Sequence, residues 1–270
     1  MNKKHRLFLV LGGFFITNTL VAEFIGIKIF SLEETFGFSP LNMKLFGVEG
    51  LGFNLTAGVM LWPVVFIMTD IINEYYGKKG VRLLSNMAVI LILYAFFMFF
   101  VGIRLEPNQW WQFESGLRED PGQSLADMDL AFGRIFGQGL WIIVGSLVAF
   151  LVGQIVDVLV FHRIKKTTGE KKIWLRATGS TLVSQFIDSY IVLVIAFYVG
   201  ADWELVRVLA IGTVNYLYKF SLAILLTPLI YLGHFVIDRY LGHELAVQMK
   251  LDAHGPPTTA NHNSPFIPPQ

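Results

Sequence analysis

Residues 83–103 read LLSNMAVILILYAFFMFFVGI, a run without a single Asp, Glu, Lys or Arg. An α-helix rises 1.5 Å per residue, so a helix over this run is about 30 Å long, the thickness of the hydrocarbon core of a bilayer. In lipid the backbone polar groups must be satisfied within the segment, which a helix achieves. The stretch therefore predicts a membrane-spanning helix.

The composition points the same way. Of 270 residues, 54% are hydrophobic and 15% are charged, whereas soluble domains have about 45–50% apolar and about 25% charged residues. The net charge of +1 gives no electrostatic footprint for nucleic acid. The absence of cysteine excludes disulfides and thiolate metal sites. Lys3, Lys4 and Arg6 precede a first apolar run that is longer than a signal-peptide core, so we expect that helix to be retained.

Six stretches are apolar and long enough to cross the bilayer, which predicts an all-α membrane protein with six transmembrane helices. Their approximate bounds are 7–30, 53–75, 83–103, 139–162, 174–199 and 206–237. The amino terminus and the second and fourth loops are basic, whereas the first, third and fifth loops are acidic or near neutral. Basic segments stay in the cytoplasm, so this alternation predicts that both termini are cytoplasmic.

Three regions lie outside these spans. Residues 31–52 are rich in glycine and predict a turn-rich outer segment that forms a hairpin. Residues 104–138 form a long outer loop. We expect residues 1–250 to make one transmembrane domain, and the Pro-, Asn- and Thr-rich residues 251–270 to be a disordered cytoplasmic tail.

Acidic side chains inside the spans are the informative positions, because a charge in hydrocarbon costs at least about 2.5–3.5 kcal/mol and usually faces a cavity or a partner. Asp70 and Glu74 lie four residues apart and share one face of the second span. We interpret Asp70 as a candidate ligand-binding residue. The alternative for both acids is a frayed helix end at the headgroups, closed by Gly77. In the first span, Glu23 is placed to line an outer vestibule.

The fourth and fifth spans repeat a Gln-x-x-Asp motif, as Gln154–Asp157 and Gln185–Asp188. The spacing puts an amide beside a carboxylate on one face of each helix, an arrangement that can bind the edge of a flat heterocycle. Internal repeats of this kind are common in transporters. The alternative is hydrogen bonding between helices, which is also common in membranes.

A polar stripe on the fifth span includes Arg176 and Ser184 and ends at Asp188. Small hydroxyl residues also allow close helix packing, but packing does not explain a carboxylate near the midplane. On the sixth span, which also carries Asn215, Lys219 reaches a similar depth by the helical rise. The alternative for Lys219 is that its long side chain reaches the membrane interface, but that interface is far away. We therefore predict a buried Asp188–Lys219 ion pair, which would be costly to break.

Motifs for chemistry are missing from the sequence. It has no His-Glu-x-x-His zinc motif, no Gly-x-Ser-x-Gly nucleophile elbow and no Walker phosphate loop. We therefore expect no enzyme, no cofactor and no metal site. An ATP-driven pump would need a nucleotide-binding module that this sequence does not show.

Three stretches carry a family resemblance: 62–77, which contains TDIINEYYG; 176–189, RATGSTLVSQFIDS; and Tyr218-Lys219 followed by TPLIY at 227–231. Together they resemble the bacterial queuosine precursor transporter family, also called the vitamin uptake transporter family. The likeness covers about residues 10–240.

The resemblance implies uptake of 7-cyano-7-deazaguanine or 7-aminomethyl-7-deazaguanine across the bacterial inner membrane, for salvage into tRNA queuosine. A carboxylate can accept the paired N–H donors of a guanine-like edge, and a glutamine can match its carbonyl. The candidate substrate-binding residues are Asp70, Gln154, Asp157, Arg176, Ser184, Gln185, Asp188, Asn215 and Lys219. Candidates for stacking on the ring are Phe186, Tyr190, Tyr216 and Tyr218, and Asp70 is the candidate partner of the aminomethyl cation.

Three functions are compatible with the sequence. The first is a solute carrier that works without ATP, with a deazapurine and the lipid bilayer as its partners and no nucleic acid. The second is the substrate-binding membrane subunit of a multi-component vitamin importer. The third, a membrane-embedded enzyme or structural subunit, lacks any reactive constellation. The sequence leaves open whether the chain forms a homodimer.

Overall fold

The computed structural model of the chain describes residues 2–114, 127–137, 139–168 and 173–254. Within these ranges, five helical stretches are long and apolar enough to cross a membrane, which confirms a multi-pass membrane protein. They are Lys3–Ile25, Trp62–Gly102, Met128–Thr168, Ala177–Val199 and Leu205–Leu241. The helices are α1 (Lys3–Ile25), α2 (Leu32–Thr35), α3 (Trp62–Gly102), α4 (Met128–Phe136), α5 (Leu140–Thr168), α6 (Ile173–Leu193), α7 (Leu205–Leu241) and α8 (His243–His254).

The predicted start of the second span at residue 53 is wrong. Residues Asn54–Thr56 form a strand, Ala57–Met60 form a 3₁₀ turn, and the α-helix begins only at Trp62. Pro63 explains this start, because proline lacks the N–H that a first helical turn leaves unsatisfied and has a fixed φ suited to that position. The fifth predicted span is also irregular: after α6 ends at Leu193, residues Val194–Val199 form a π-helix.

The predicted second and third spans meet at one residue. α3 contains Gly77 with φ 65° and ψ −172°, which breaks the helical geometry into residues 62–76 and 78–102. That backbone conformation is open essentially only to glycine. The prediction of a loop between these two spans is therefore wrong, because Lys78 and Lys79 already belong to the second half of α3.

The two halves of α3 pack on α1 in opposite directions. Just before the first half begins, Gly58 packs against the backbone of Ala22, near the end of α1. At Gly77 the hydroxyl of Tyr76 donates to the carbonyl oxygen of Lys4, near the start of α1, at 2.7 Å. This half therefore runs antiparallel to α1.

The second half of α3 returns along the same helix. Leu84 contacts Gly12, and further along, the rings of Phe24 and Phe99 lie 5.1 Å apart at their centroids. Residue numbers rise together in both elements, so this half runs parallel to α1. Gly77 thus reverses the chain and makes α3 a helical hairpin.

The predicted hairpin in residues 31–52 is confirmed. β2 (Met43–Leu45) pairs antiparallel with β3 (Val48–Leu51), and β1 (Ile29–Ser31) pairs antiparallel with β4 (Asn54–Thr56). The tight turn between β2 and β3 has Phe46 and Gly47 at φ 52° and 85°, the positive values that a two-residue hairpin needs. These strands cover the carboxyl end of α1. We call this the strand end of the bundle and the opposite end the Gly77 end.

α8 closes the Gly77 end and was not predicted. Its Ala246 and Met249 are buried, Lys250 pairs with Asp238 of α7 at 3.1 Å, and the backbone of Ala253 lies against Gly77. Helix therefore extends to His254, four residues into the predicted tail; residues 255–270 lie outside the described part.

The outer surface of the bundle is apolar, as a lipid environment requires. Leu93, Phe97 and Leu225 are 50%, 60% and 71% exposed, and a soluble protein would bury so large an apolar surface. The core between α1, α3 and α5 holds large side chains such as Phe15, Tyr75 and Phe150, each about 1% exposed.

Candidate functional site

A cavity of about 810 Å³ opens at the strand end of the bundle. Its wall is formed by the end of α1, the strands, Trp62 at the start of α3, and the facing sides of α5, α6 and α7. We call it the strand-end cavity. Three predicted site residues line it: Asp188, Asn215 and Lys219. Its volume falls within the range typical of small-molecule sites, about 300–1,000 Å³.

The predicted Asp188–Lys219 ion pair is present in the cavity wall. Lys219 Nζ lies 2.5 Å from Asp188 Oδ2, and the two side chains are only 10% and 16% exposed. A charge-assisted hydrogen bond of this length holds both groups in fixed positions. The pair thereby places an ammonium and a carboxylate side by side at one wall of the cavity.

Two further polar groups face the same space. Asn215 has its Oδ1 buried without a hydrogen-bond partner. Glu23 of α1, 7% exposed, accepts a hydrogen bond from Ser146 of α5, and both residues line the cavity. Glu23 lines a vestibule as its sequence position indicated. Ser146 was not predicted, because a lone serine in an apolar run carries no signal in the sequence.

Asp70 and Asp157 lie away from the cavity, in a cluster buried between α3, α5 and α6. Asp70, 1% exposed, accepts hydrogen bonds from Ser180 at 3.4 Å and Thr181 at 3.3 Å. Asp157, 0% exposed, accepts one from Ser184 at 3.2 Å. Ser180 and Ser184 lie about one turn apart on α6, so the two carboxylates meet neighbouring turns of that helix. We call these five residues the carboxyl cluster.

The two predicted glutamines have different environments. Gln154 Oε1 accepts from Thr69 at 3.1 Å, while its Nε2 has no partner. Gln185 is 2% exposed, and neither its Oε1 nor its Nε2 has a hydrogen-bond partner. Gln185 lies one helical turn from Asp188 and Ser189 of the cavity wall. The repeated motif thus contributes one bonded and one unbonded amide.

At the Gly77 end the frayed-helix interpretation of Glu74 is wrong. Glu74 is 1% exposed and pairs with Lys165 of α5 at 3.2 Å. Its neighbour Tyr75 donates to Asp238 of α7 at 2.7 Å, and Lys250 of α8 pairs with the same carboxylate. α5, α7 and α8 cover this end of α3, which is why these groups meet protein and not headgroups.

The structure therefore divides the predicted site into two groups. Asp188, Asn215 and Lys219 line the cavity, with Gln185 one turn away, whereas Asp70, Asp157 and Ser184 form the carboxyl cluster, with Gln154 beside it. The side chain of Arg176 lies outside the described part. No group of three or more His, Asp or Glu side chains among the described residues is placed to hold a metal ion.

The four predicted stacking residues do not line the strand-end cavity. Phe186 is 47% exposed and packs on Tyr190 and Tyr216, with ring centroids 5.0 and 5.1 Å away. None of these three rings, nor that of Tyr218, is part of the cavity wall. The aromatic residues in that wall are Trp62, Phe197 and Trp203. Phe186 follows Gln185 in the sequence, but successive residues of a helix point in different directions. The two side chains therefore have different surroundings.

Comparison with known proteins identifies relatives of one kind. Residues 56–233 match the family described as "Putative vitamin uptake transporter". A "Probable queuosine precursor transporter" of Bacillus subtilis (strain 168) is 30% identical over 188 residues, covering 68% of this chain and 73% of the relative. No solved structure matches the chain.

Two other relatives carry the same kind of name. A "Probable queuosine precursor transporter" of Haemophilus influenzae is 27% identical, covering 64% of this chain and 66% of its own length. The "Queuosine precursor transporter" of Escherichia coli (strain K12) is 28% identical, covering 66% and 71%. The relatives are transporters and not enzymes, which confirms the expectation that this chain is not an enzyme. With 56–233 matched and the buried polar residues of α3, α6 and α7 inside that range, the chain belongs to the vitamin uptake transporter family.

Proposed function

We propose that this chain is a carrier in the bacterial inner membrane that imports a queuosine precursor, 7-cyano-7-deazaguanine or 7-aminomethyl-7-deazaguanine, without ATP. The names of three relatives support the cargo. The observation that carries the proposal is the strand-end cavity itself. Its wall holds the Asp188–Lys219 pair and Asn215, whose buried Oδ1 has no hydrogen-bond partner, around a small-molecule-sized space inside an apolar bundle.

The cavity chemistry suits a guanine-like edge. The free oxygen of the Asp188 carboxylate accepts the N–H donors of the ring, and the Lys219 ammonium donates to the ring carbonyl. Asn215 Oδ1 accepts a further N–H. Gln185 lies one turn away with an amide that the protein leaves unbonded, and such a group costs free energy until a ligand pairs with it. Trp62 offers an aromatic surface to the ring.

Glu23, in place of the predicted Asp70, is our candidate for the carboxylate that meets a cationic ligand. Among the described residues it pairs with no cation, and it faces the cavity with only Ser146 as a donor. A carboxylate with a neutral partner can still pair with an ammonium group, which strengthens its hydrogen bonds. We assign it to the aminomethyl cation of 7-aminomethyl-7-deazaguanine.

For the topology we propose six crossings with both termini in the cytoplasm. Counting the two antiparallel halves of α3 separately raises the five helical stretches to six. The basic residues Lys4, Lys78 and Lys165 lie near the Gly77 end, and basic ends of a bundle stay in the cytoplasm. The strand-end cavity then opens to the outside, where an importer must collect its substrate.

Glu23→Gln is expected to separate the two precursors. We expect the Kd for 7-aminomethyl-7-deazaguanine to rise about 10- to 100-fold, because a charge-assisted hydrogen bond is worth roughly 1.5–3 kcal/mol. The Kd for the neutral 7-cyano compound should change less than about threefold. Calorimetry of purified wild type and variant, with guanine as the third ligand, measures all three values. Equal losses for both precursors would refute the role of Glu23, and preference for guanine over both would refute the proposed cargo.

A further inference from the structure

The carboxyl cluster contains two aspartates that among the described residues lack any cationic partner. Asp70 and Asp157 are 1% and 0% exposed, and every hydrogen bond they accept in these ranges comes from a hydroxyl of α6. Two carboxylates that meet neighbouring turns of one helix and are this deeply buried cannot both stay ionised, because desolvation and mutual repulsion both oppose it. One proton held between them removes the repulsion.

A second observation indicates where that proton is held. Asp157 Oδ2 is fully buried and has no hydrogen-bond partner, although Oδ1 of the same group accepts from Ser184. A buried carboxylate oxygen without a donor is costly. Protonation of this oxygen removes most of that cost, since the carboxyl group is then neutral.

Other titratable groups on the packed helices already have partners. On α3 and α5, Glu74 pairs with Lys165 and His162 bonds to Asn73. On α6 and α7, Asp188 pairs with Lys219. Tyr75 of α3 bonds to both His234 and Asp238 of α7. Among the described residues of α1, α3, α5, α6 and α7, these contacts leave two places where a carboxylate has no cation: Glu23, which accepts from Ser146 in the cavity wall, and the Asp70–Asp157 pair. The second of these places brings two carboxylates together, away from the cavity wall.

The carboxyl cluster lies between the strand-end cavity and the Gly77 end of the bundle. Ser184 precedes Asp188 by four residues, so the cluster begins about 6 Å from the cavity wall along α6. Asp70 precedes Gly77 by seven residues, about 10 Å along α3. A proton held here lies next to the substrate and on the way to the Gly77 end.

We propose that the Asp70–Asp157 pair binds the proton that drives uptake, so that one proton enters with each substrate molecule. This proposal rests on the proposed function and adds its energy source. The proton arrives from the strand-end solution, resides on the pair while substrate occupies the cavity, and leaves to the Gly77-end solution. No bond of the substrate is made or broken.

The test uses the purified full chain in ATP-free liposomes with labelled 7-cyano-7-deazaguanine, which is neutral and so adds no charge of its own. With an acidic exterior and the membrane potential clamped, wild type should accumulate substrate about tenfold per pH unit, as one proton per substrate requires. A pH-sensitive dye inside should report acidification when a substrate gradient alone is applied. Accumulation that follows a sodium gradient, or uptake that only equalises concentrations, overturns the coupling proposal.

Asp157→Asn separates coupling from transport. The asparagine keeps the shape but cannot carry the proton, so we expect loss of pH-driven accumulation with exchange of internal for external substrate retained. Asp70→Asn serves the same purpose if the first variant does not fold. Asp202→Asn, an exposed aspartate in a loop, is the matched control and should accumulate normally. Undiminished accumulation by Asp157→Asn and Asp70→Asn overturns the proposal. Absence of any uptake or exchange by wild type refutes the proposed function as well.

Discussion

Asp188→Asn and Lys219→Gln are each expected to lower the free energy of unfolding by about 3 kcal/mol. Removing one member of a buried ion pair leaves the other charge without compensation, which typically costs about 3–5 kcal/mol. The lower end applies because the Asp188 side chain keeps 16% exposure. Thermal unfolding in detergent should show both single variants well below the wild type.

The double variant Asp188→Asn/Lys219→Gln should regain most of that stability, since two neutral amides can bond to each other. It should nevertheless bind precursor poorly, because both charged contacts to the ring are gone. Single variants as stable as the wild type would show that the pair is not buried as described.

A surface pair supplies the matched control. Lys44 Nζ lies 2.6 Å from Glu49 Oε1, almost the distance of the buried pair, but the two side chains are 63% and 72% exposed. An exposed ion pair contributes about 0–1 kcal/mol. Lys44→Gln should therefore leave unfolding nearly unchanged, so that burial and not distance accounts for the difference.

Gln185→Met is expected to weaken precursor binding by roughly 30- to 100-fold without loss of stability. Two buried hydrogen bonds to a ligand contribute roughly 1–1.5 kcal/mol each. The amide has no partner in the protein, so an apolar side chain of similar volume removes no internal hydrogen bond and relieves a desolvation penalty. Gln248→Met, at an exposed glutamine of α8, is the control for both measurements.

Stability and precursor binding should be measured on the same preparation of each variant, by thermal unfolding and by calorimetric titration with 7-cyano-7-deazaguanine. If Gln185→Met binds as tightly as the wild type, the amide does not contact the ligand. If it unfolds much earlier, the amide has a structural role that its lack of hydrogen bonds does not suggest.

The sequence predicted the features that depend on helical geometry and on local composition. Helical rise alone places Asp188 and Lys219 at the same depth on neighbouring spans, and the structure confirms their pairing. The glycine content of residues 31–52 predicted a hairpin, and it too is confirmed. These features are local, or they follow from the thickness of the bilayer.

Tertiary packing decided the rest. The i,i+3 spacing shows that Gln154 and Asp157 share a face, but not that this face turns to Asp70 and away from the cavity. Nor does hydropathy show that Gly77 alone reverses α3. The polar residues 76–82 predicted a loop of several residues between two spans, whereas the residues on both sides of Gly77 are helical. The helical face of Phe186 was equally hidden, since every face of a lipid-embedded helix can be apolar.

The most direct test of the carrier function is uptake of labelled 7-aminomethyl-7-deazaguanine by the purified chain alone in ATP-free liposomes. A carrier should transport it, saturably, with competition by the 7-cyano compound and little competition by guanine. The Glu23→Gln variant in the same vesicles should take up the aminomethyl compound poorly. Uptake that appears only when an ATPase partner and ATP are added would contradict the account and make the chain a subunit of a multi-component importer.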